Sequence, residues 1–190
     1  MYLYYEPLNN RLKKLGFSGQ INDEILQCYK VKQYPKNEYF ARAGEISDKI
    51  GYIVNGLFFM SILQENGHYF VKEFITSSQF LLATLDPHKK CCVDIQSIKN
   101  STIIEAKYSD IQYLFAKYPQ LALFSKKRTE EEIDTISQRM AQYAIQTAKD
   151  RYILFREKYG SIEDEIPQFL IASYLGITPT QLSRIRASEK

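Results

Sequence analysis

The sequence is poor in the residues that build metal centres. It contains only three cysteines, Cys28, Cys91 and Cys92, and two histidines, His68 and His88. None of them falls at metal-ligand spacing, and an iron-dependent oxygenase needs two or more histidines together with a carboxylate. An odd number of cysteines, two of them adjacent, also argues against a disulfide framework and fits a reducing compartment. We therefore predict no metal site.

Long apolar runs are absent too. No stretch approaches the roughly 20 apolar residues of a membrane-spanning helix, and the N-terminal segment lacks the apolar core of a signal peptide. An apolar share of 45% and a charged share of 25% are ordinary for a globular protein, and 190 residues suffice for one domain or two small ones. The sequence therefore predicts a cytoplasmic protein without a membrane partner.

Enzyme motifs are missing as well. There is no phosphate-cradling Gly-rich loop, no nucleophile elbow and no paired His-Glu metal motif. His68 falls beside the turn signal Asn66-Gly67, and His88 follows Asp86-Pro87, so both are predicted in loops. We predict that the chain is not an enzyme. The formal net charge of +3 is too small to indicate a nucleic-acid partner by itself.

The most informative stretch is IPQFLIASYLGITPTQLSRIRA, residues 166–187. Its first half repeats apolar residues at helical spacing. Gly176 can then adopt the left-handed conformation that ends a helix. Thr178 is a good N-cap and Pro179 a good first residue for a second helix. This arrangement predicts a helix-turn-helix, whose second helix enters the DNA major groove.

In that second helix, Leu182 and Ile185 are expected to point inward, which leaves a polar outer face. The candidate DNA-binding residues are Thr178, Thr180, Gln181, Ser183, Arg184 and Arg186. The side chain of Arg184 suits a guanine edge, that of Gln181 suits an adenine edge, and that of Thr180 suits a thymine methyl or a phosphate. Any two amphipathic helices with a glycine hinge share part of this pattern, but its features occur here together, which favours DNA binding.

Between residues 31 and 108 the sequence changes to short β-type runs separated by turns. Asn55-Gly56 and Asn66-Gly67 each predict a two-residue hairpin, because a type I′ turn needs positive φ at both central residues. Half a dozen or more such strands predict a compact antiparallel β-roll. A helical segment over about residues 6–29 precedes it, and a short helix follows it.

A long helix without glycine or proline is predicted from residue 120 to about residue 143, with a further helix over 144–160. Apolar positions in the long helix step by 3, 4 and 3, which is the seam of a two-stranded coiled coil. The candidate dimer-interface residues are Ile133, Ile136, Met140 and Tyr143. The alternative is that this face lies on the core of its own domain.

This order of elements resembles the Crp/Fnr family of bacterial transcription regulators. The stretches that carry the resemblance are RYILFREKYG, IPQFLIASYLGITPTQLSRIR, GYIVNGLFFM and ENGHYFVKEF. It implies an α+β fold: an N-terminal, jelly-roll-like antiparallel β-roll with flanking helices (1–118), a dimerisation helix (119–143) and a helix-turn-helix domain (144–190). It also implies a homodimer that binds double-stranded DNA at a palindromic promoter site, with RNA polymerase as a partner if the protein is an activator.

The sequence departs from the cyclic-nucleotide-binding members of that family. Those members hold the ribose and the cyclic phosphate with a Gly-Glu pair and with an arginine beside a small hydroxyl residue. Here Leu82-Ala83 and Cys91-Cys92-Val93 take those places. Canonical cyclic AMP binding is therefore not expected, and no cofactor is predicted. If the roll binds a non-canonical small effector, the candidate pocket residues are Leu82, Ala83, Thr84, Cys91 and Cys92.

The cysteines bear on two sensing mechanisms, and the sequence also allows one alternative function. Cys28 alone cannot hold the iron–sulfur cluster of the oxygen-sensing branch. Cys91 and Cys92 suggest a redox sensor, but small apolar residues packed in the roll are the simpler explanation. The alternative function is a small-molecule sensor that acts on a protein partner without sequence-specific DNA binding. The polar outer face of the last helix favours the regulator.

Overall fold

The structure, a computed structural model, describes residues 2–64 and 67–188. The helices are α1 (Glu6–Lys14), α2 (Gln20–Cys28), α3 (Tyr108–Lys117), α4 (Pro119–Ile145), α5 (Ala148–Tyr159), α6 (Gln168–Leu175) and α7 (Pro179–Ser188), with short 3-10 helices at Tyr2–Tyr4 and Gly160–Glu165. The strands are β1 (Lys30–Tyr34), β2 (Tyr39–Ala41), β3 (Lys49–Asn55), β4 (Leu57–Leu63), β5 (Tyr69–Thr76), β6 (Phe80–Leu82), β7 (Asp94–Ser97) and β8 (Ser101–Lys107). No helix in these described ranges is long and apolar enough to cross a bilayer.

The strands form two four-stranded antiparallel sheets. The first has the order β1-β8-β3-β6 and the second the order β2-β7-β4-β5. Their facing sides enclose a core to which every strand contributes, including Tyr34, Phe40, Phe58, Leu81 and Ile103. The predicted antiparallel β-roll and the α+β fold class are therefore confirmed.

Helices cover the outer side of each sheet. Tyr52 and Ile104 of the first sheet pack against α1, α2, α3 and the start of α4. Val71 and Phe74 of the second sheet pack against α5 and α6. Strand β4 is consequently buried on both faces, since Phe58 belongs to the roll interior and its neighbours belong to the outer cluster. This double burial explains why β4 reads as the nearly continuous apolar run LFFMSIL.

One hairpin prediction is wrong and the other falls partly outside the described residues. Strands β3 and β4 lie in different sheets, so Asn55-Gly56 is a crossing between sheets and not a hairpin. Gly56 is needed there because a Cβ atom would collide with Ser101. Strands β4 and β5 do pair as an antiparallel hairpin, and Gly67 has φ +79°. Asn66, the other residue of that predicted turn, lies outside the described residues.

One helix boundary and one strand also differ from the sequence prediction. The predicted helix over 144–160 begins only at Ala148, because Thr147 and Asp150 form a reciprocal capping box: the Thr147 hydroxyl accepts from the Asp150 N–H at 3.2 Å, and the Thr147 N–H donates to the Asp150 carboxylate at 3.1 Å. The helical segment is therefore interrupted between α4 and α5. The three-residue strand β6, which pairs with β3, was not predicted.

Candidate nucleic-acid interface

Helices α6 and α7 meet at the glycine turn that the sequence indicates. Gly176 takes the left-handed conformation, with φ +67° and ψ +36°, and the Ile177 N–H donates to the Ala172 carbonyl at 3.0 Å to close the last turn of α6. Leu175 and Leu182 are fully buried between the two helices. The predicted helix ends, the glycine conformation and the inward position of Leu182 are all confirmed.

A capping box begins α7. The Thr178 hydroxyl accepts from the Gln181 N–H at 3.2 Å, and the Gln181 side-chain oxygen accepts from the Thr178 N–H at 2.9 Å. Each side chain thus satisfies a backbone donor that a helix start leaves unpaired. Gln181 was predicted as a base-reading residue, and in this structure its side-chain oxygen is already engaged. The spacing Thr-x-x-Gln was the available signal for this role.

The outer face of α7 is open to solvent. Thr180, Ser183 and Arg184 are exposed, as expected from their helical positions. Arg184 has no ion-pair partner among the residues that the structure describes. A charged side chain on a rigid helix, with no partner of its own, is free to bind an external acceptor.

Arg186, a predicted DNA-binding residue, has a different environment. Its guanidinium donates twice to Glu163, at 2.6 Å and 3.1 Å, and the same carboxylate accepts from the Tyr152 hydroxyl at 2.9 Å. Glu163 lies in the 3-10 helix between α5 and α6. Arg186 therefore fastens α7 to the preceding segment of the chain, and this contact opposes its predicted role at DNA.

The helix pair is hydrogen-bonded to the edge of the second sheet. Strand β5 is that edge, so one row of its backbone groups has no partner strand. The Ser173 hydroxyl of α6 accepts from the Val71 N–H at 3.0 Å and donates to the Tyr69 carbonyl. Arg139 of α4 donates to the Val71 carbonyl at 3.1 Å and to the Tyr174 carbonyl at 3.0 Å. Sequence reasoning missed Ser173 and Arg139, since nothing local marks a contact across about 100 residues.

An aromatic cluster makes the same connection through packing. Phe74 of β5 lies 5.5 Å from Tyr159 and from Tyr174, and 6.1 Å from Phe155, measured between ring centroids. Burial raises the pKa of Tyr174 to about 12. The roll and the C-terminal helices therefore share one core, and the orientation of α7 depends on β5.

Three of the four predicted dimer residues form an exposed apolar stripe on α4. Ile133 is 57% exposed, Ile136 43% and Met140 69%. The fourth, Tyr143, contacts its own chain: its hydroxyl donates to the Tyr174 carbonyl, and its ring lies against Gly176. The stripe thus has no covering partner within the described part of the chain, whereas Tyr143 supports the α6–α7 turn.

The predicted effector-pocket residues have different environments. Cys91 is buried in the roll interior, Cys92 is exposed, and the Thr84 hydroxyl accepts from the Asp86 N–H at 3.1 Å in a local turn. Leu82 and Ala83 are half-buried at β6. Neither of the two best-defined cavities among the described residues is lined by any of the five.

Aromatic side chains share the roll interior with Cys91. The Tyr34 ring lies 6.1 Å from that of Phe40 and 5.9 Å from that of Phe58. Burial raises the pKa of the Cys91 thiol, which favours its protonated form. Within the described ranges, no three His, Cys, Asp or Glu side chains are grouped as metal ligands.

Comparison with solved structures identifies the fold. FixK2 from Bradyrhizobium japonicum superposes with a TM-score of 0.77 at 17% identity, over 84% of this chain and 83% of that one. The c-di-GMP responsive global regulator CLP from Xanthomonas campestris superposes at 0.72 and 12% identity, over 88% and 89%. The chain therefore shares the fold of these two proteins. A CooA mutant from Carboxydothermus hydrogenoformans gives 0.70 at 14% identity, over 93% and 82%.

At the level of sequence, no protein-family model matches the chain, and no curated protein matches it. The Crp/Fnr resemblance is therefore confirmed for the fold, through solved structures of low sequence identity.

Proposed function

We propose that the chain is a DNA-binding transcription regulator of the Crp/Fnr type, and not an enzyme, that acts in the cytoplasm as a homodimer. The observation that carries this proposal is the outer face of α7, where exposed polar side chains surround an unpaired Arg184 on a helix capped at its start. The shared fold adds support, since it is the fold of a structure described as a global regulator of gene expression.

In this proposal α7 is the recognition helix of a helix-turn-helix. Arg184 binds a guanine edge with its fork of donors, while Thr180 and Ser183 contact a thymine methyl or phosphates. Gln181 reaches an adenine only by releasing its bond to the Thr178 N–H, so we assign it first to holding the helix start. Arg186 is assigned to its ion pair with Glu163.

The homodimer forms through the exposed stripe of Ile133, Ile136 and Met140. A helix of 27 residues with an uncovered apolar stripe fits a coiled-coil partner. Two-fold symmetry then places two copies of α7 about one DNA turn, roughly 34 Å, apart, which matches a palindromic site. RNA polymerase is the expected partner if the regulator activates transcription.

The roll is proposed to be a structural support that does not bind cyclic AMP in the usual manner. Its interior is packed with Tyr34, Phe40, Phe58 and Cys91, and the sequence resemblance matches Cys91 to the phosphate-binding residues of cyclic-nucleotide-binding members. The alternative function remains a sensor that acts on a protein partner without sequence-specific DNA binding. No feature of the described residues supports that alternative as directly as the exposed face of α7 supports DNA binding.

Selection of bound DNA from a random pool, at a stated salt concentration, tests the proposal. We expect a palindrome whose half-sites are centred about 10 bp apart, because a two-fold dimer presents two identical helices. Binding that is weak, independent of sequence and steeply dependent on salt would reflect phosphate contact alone. That result would contradict the proposed function.

A further inference from the structure

A cationic cleft lies next to the elements that support α7. It opens between α4, α5 and the end of α6 and has a volume of about 210 Å³. Three of its lining side chains are the cations Arg139, Arg151 and Lys158, and none of its lining side chains is a carboxylate. A concave site with charge of one sign attracts ligands of the opposite charge.

The two arginines are held in place by neutral groups. Arg139 donates to two main-chain carbonyls, at 3.1 Å and 3.0 Å, and Arg151 donates to two others, at 3.0 Å and 2.7 Å. Their guanidinium carbons lie 5.4 Å and 5.2 Å from the centroid of the Tyr143 ring. No carboxylate within the described ranges pairs with either arginine. Their positive charge is therefore both fixed in position and not neutralised.

The third cation, Lys158, has a carboxylate partner. Lys158 lies 3.4 Å from the Glu73 carboxylate, which stands outside the cleft lining. Even with Glu73 and the neighbouring Glu132 both ionised, the three cations outnumber the carboxylates at this site. The amides of Gln138 and Gln142 add neutral hydrogen-bond donors to the lining.

The cleft and the dimer stripe lie on different faces of α4. At about 100° per residue, the five cleft positions on α4 are centred roughly 125° around the helix from the three stripe positions; the five are Thr135, Gln138, Arg139, Gln142 and Tyr143. A second copy packed on the stripe therefore leaves the cleft open. The second copy is therefore not what occupies the cleft.

We propose that this cleft binds a small polyphosphorylated ligand. Each guanidinium uses only some of its N–H groups on main-chain carbonyls, and its remaining N–H groups, together with the point charge of the lysine, match phosphate oxygens. The volume suits a phosphate chain with part of an attached group, and a half-open cleft between three helices does not admit a macromolecule. None of the residues predicted to line an effector pocket in the roll belongs to this site.

The ligand would join α4 to α5 and α6, the helices that carry α7. Binding there should therefore couple to DNA affinity, and this consequence rests on the proposed function. The binding itself does not, so the two can fail separately.

Calorimetric titration of the full chain with inorganic pyrophosphate and with ATP, at constant ionic strength, tests the site. The variants are Arg139→Gln and Lys158→Gln. The matched control is Arg156→Gln, which lies on the same helix α5 as Lys158, is 56% exposed and lines no part of the cleft. Lys158→Gln guards against misfolding, because Lys158 is 47% exposed and bonds to the Glu73 side chain rather than to the main chain.

We expect saturable binding of at least one probe to the wild type and to Arg156→Gln, with about a tenfold loss of affinity in each cleft variant, as for one charge-assisted hydrogen bond. Saturating probe should then change the affinity for the selected DNA in the wild type and not in Arg139→Gln. The proposal is overturned if neither probe binds, or if all four proteins bind equally. Because the titration contains no DNA, such a failure leaves the proposed function standing.

Discussion

The bond between α6 and the sheet edge gives the sharpest test of how the roll holds α6 and α7. Replacing Ser173 by alanine removes the hydroxyl that accepts from the Val71 N–H at 3.0 Å and donates to the Tyr69 carbonyl. Both backbone groups belong to edge strand β5. Since Ser173 is half-buried, water replaces the lost partner only in part.

The expected cost follows from those two bonds. Each hydrogen bond contributes about 1 kcal/mol net, and a donor left without a partner costs about 1–3 kcal/mol. Ser173→Ala should therefore lower the free energy of unfolding by about 1–3 kcal/mol. The matched control is Ser183→Ala on the exposed face of α7, where we expect a change within about 0.5 kcal/mol.

Urea denaturation followed by circular dichroism measures both variants. The midpoint should fall for Ser173→Ala while the slope stays unchanged, because the surface exposed on unfolding is the same. If Ser173→Ala and Ser183→Ala unfold at the same midpoint, the side-chain bond to β5 does not stabilise the fold, and the reasoning is refuted.

Two other substitutions test the dimer stripe and the crossing between sheets. Ile136→Glu should convert the dimer to a monomer in analytical ultracentrifugation, because a buried unpaired charge is costly. Lys127→Glu is the exposed control. An Ile136→Glu variant that stays a tight dimer would exclude this stripe as the interface. Gly56→Ala should lower the free energy of unfolding by about 1–3 kcal/mol, since its Cβ meets Ser101. The control is Gly160→Ala, whose Cβ meets one atom at 4.0 Å and which should unfold near the wild-type temperature. Equal melting temperatures of the two variants would contradict the collision.

Local signals in the sequence predict much of this molecule. Gly176 and Thr178 mark the ends of two helices through backbone conformation and capping, and these are properties of a few neighbouring residues. The roll follows from several short strands separated by turns. The apolar stripe on α4 is visible for the same reason, since helical spacing alone places Ile133 and Ile136 on one side.

The errors arise where sheet assignment or distant contacts decide. Asn55-Gly56 has a hairpin sequence, but β3 and β4 are each buried in a different sheet, and no local feature reveals that. Arg139 and Arg186 look like free surface cations in the sequence. Their partners, the Val71 carbonyl and Glu163, lie 68 and 23 residues away.

The central claim is that Arg184 on α7 reads a base, and comparing the DNA selected by the wild type with that selected by Arg184→Ala tests it most directly. The control is Arg128→Ala, an exposed arginine of α4 that pairs with Glu131 at 2.7 Å. We predict that Arg184→Ala loses preference at one base pair per half-site, at a cost of about 1–3 kcal/mol, while Arg128→Ala selects the wild-type sequence. Equal weakening on every sequence, with the base preferences intact, would make Arg184 a phosphate contact and contradict the claim.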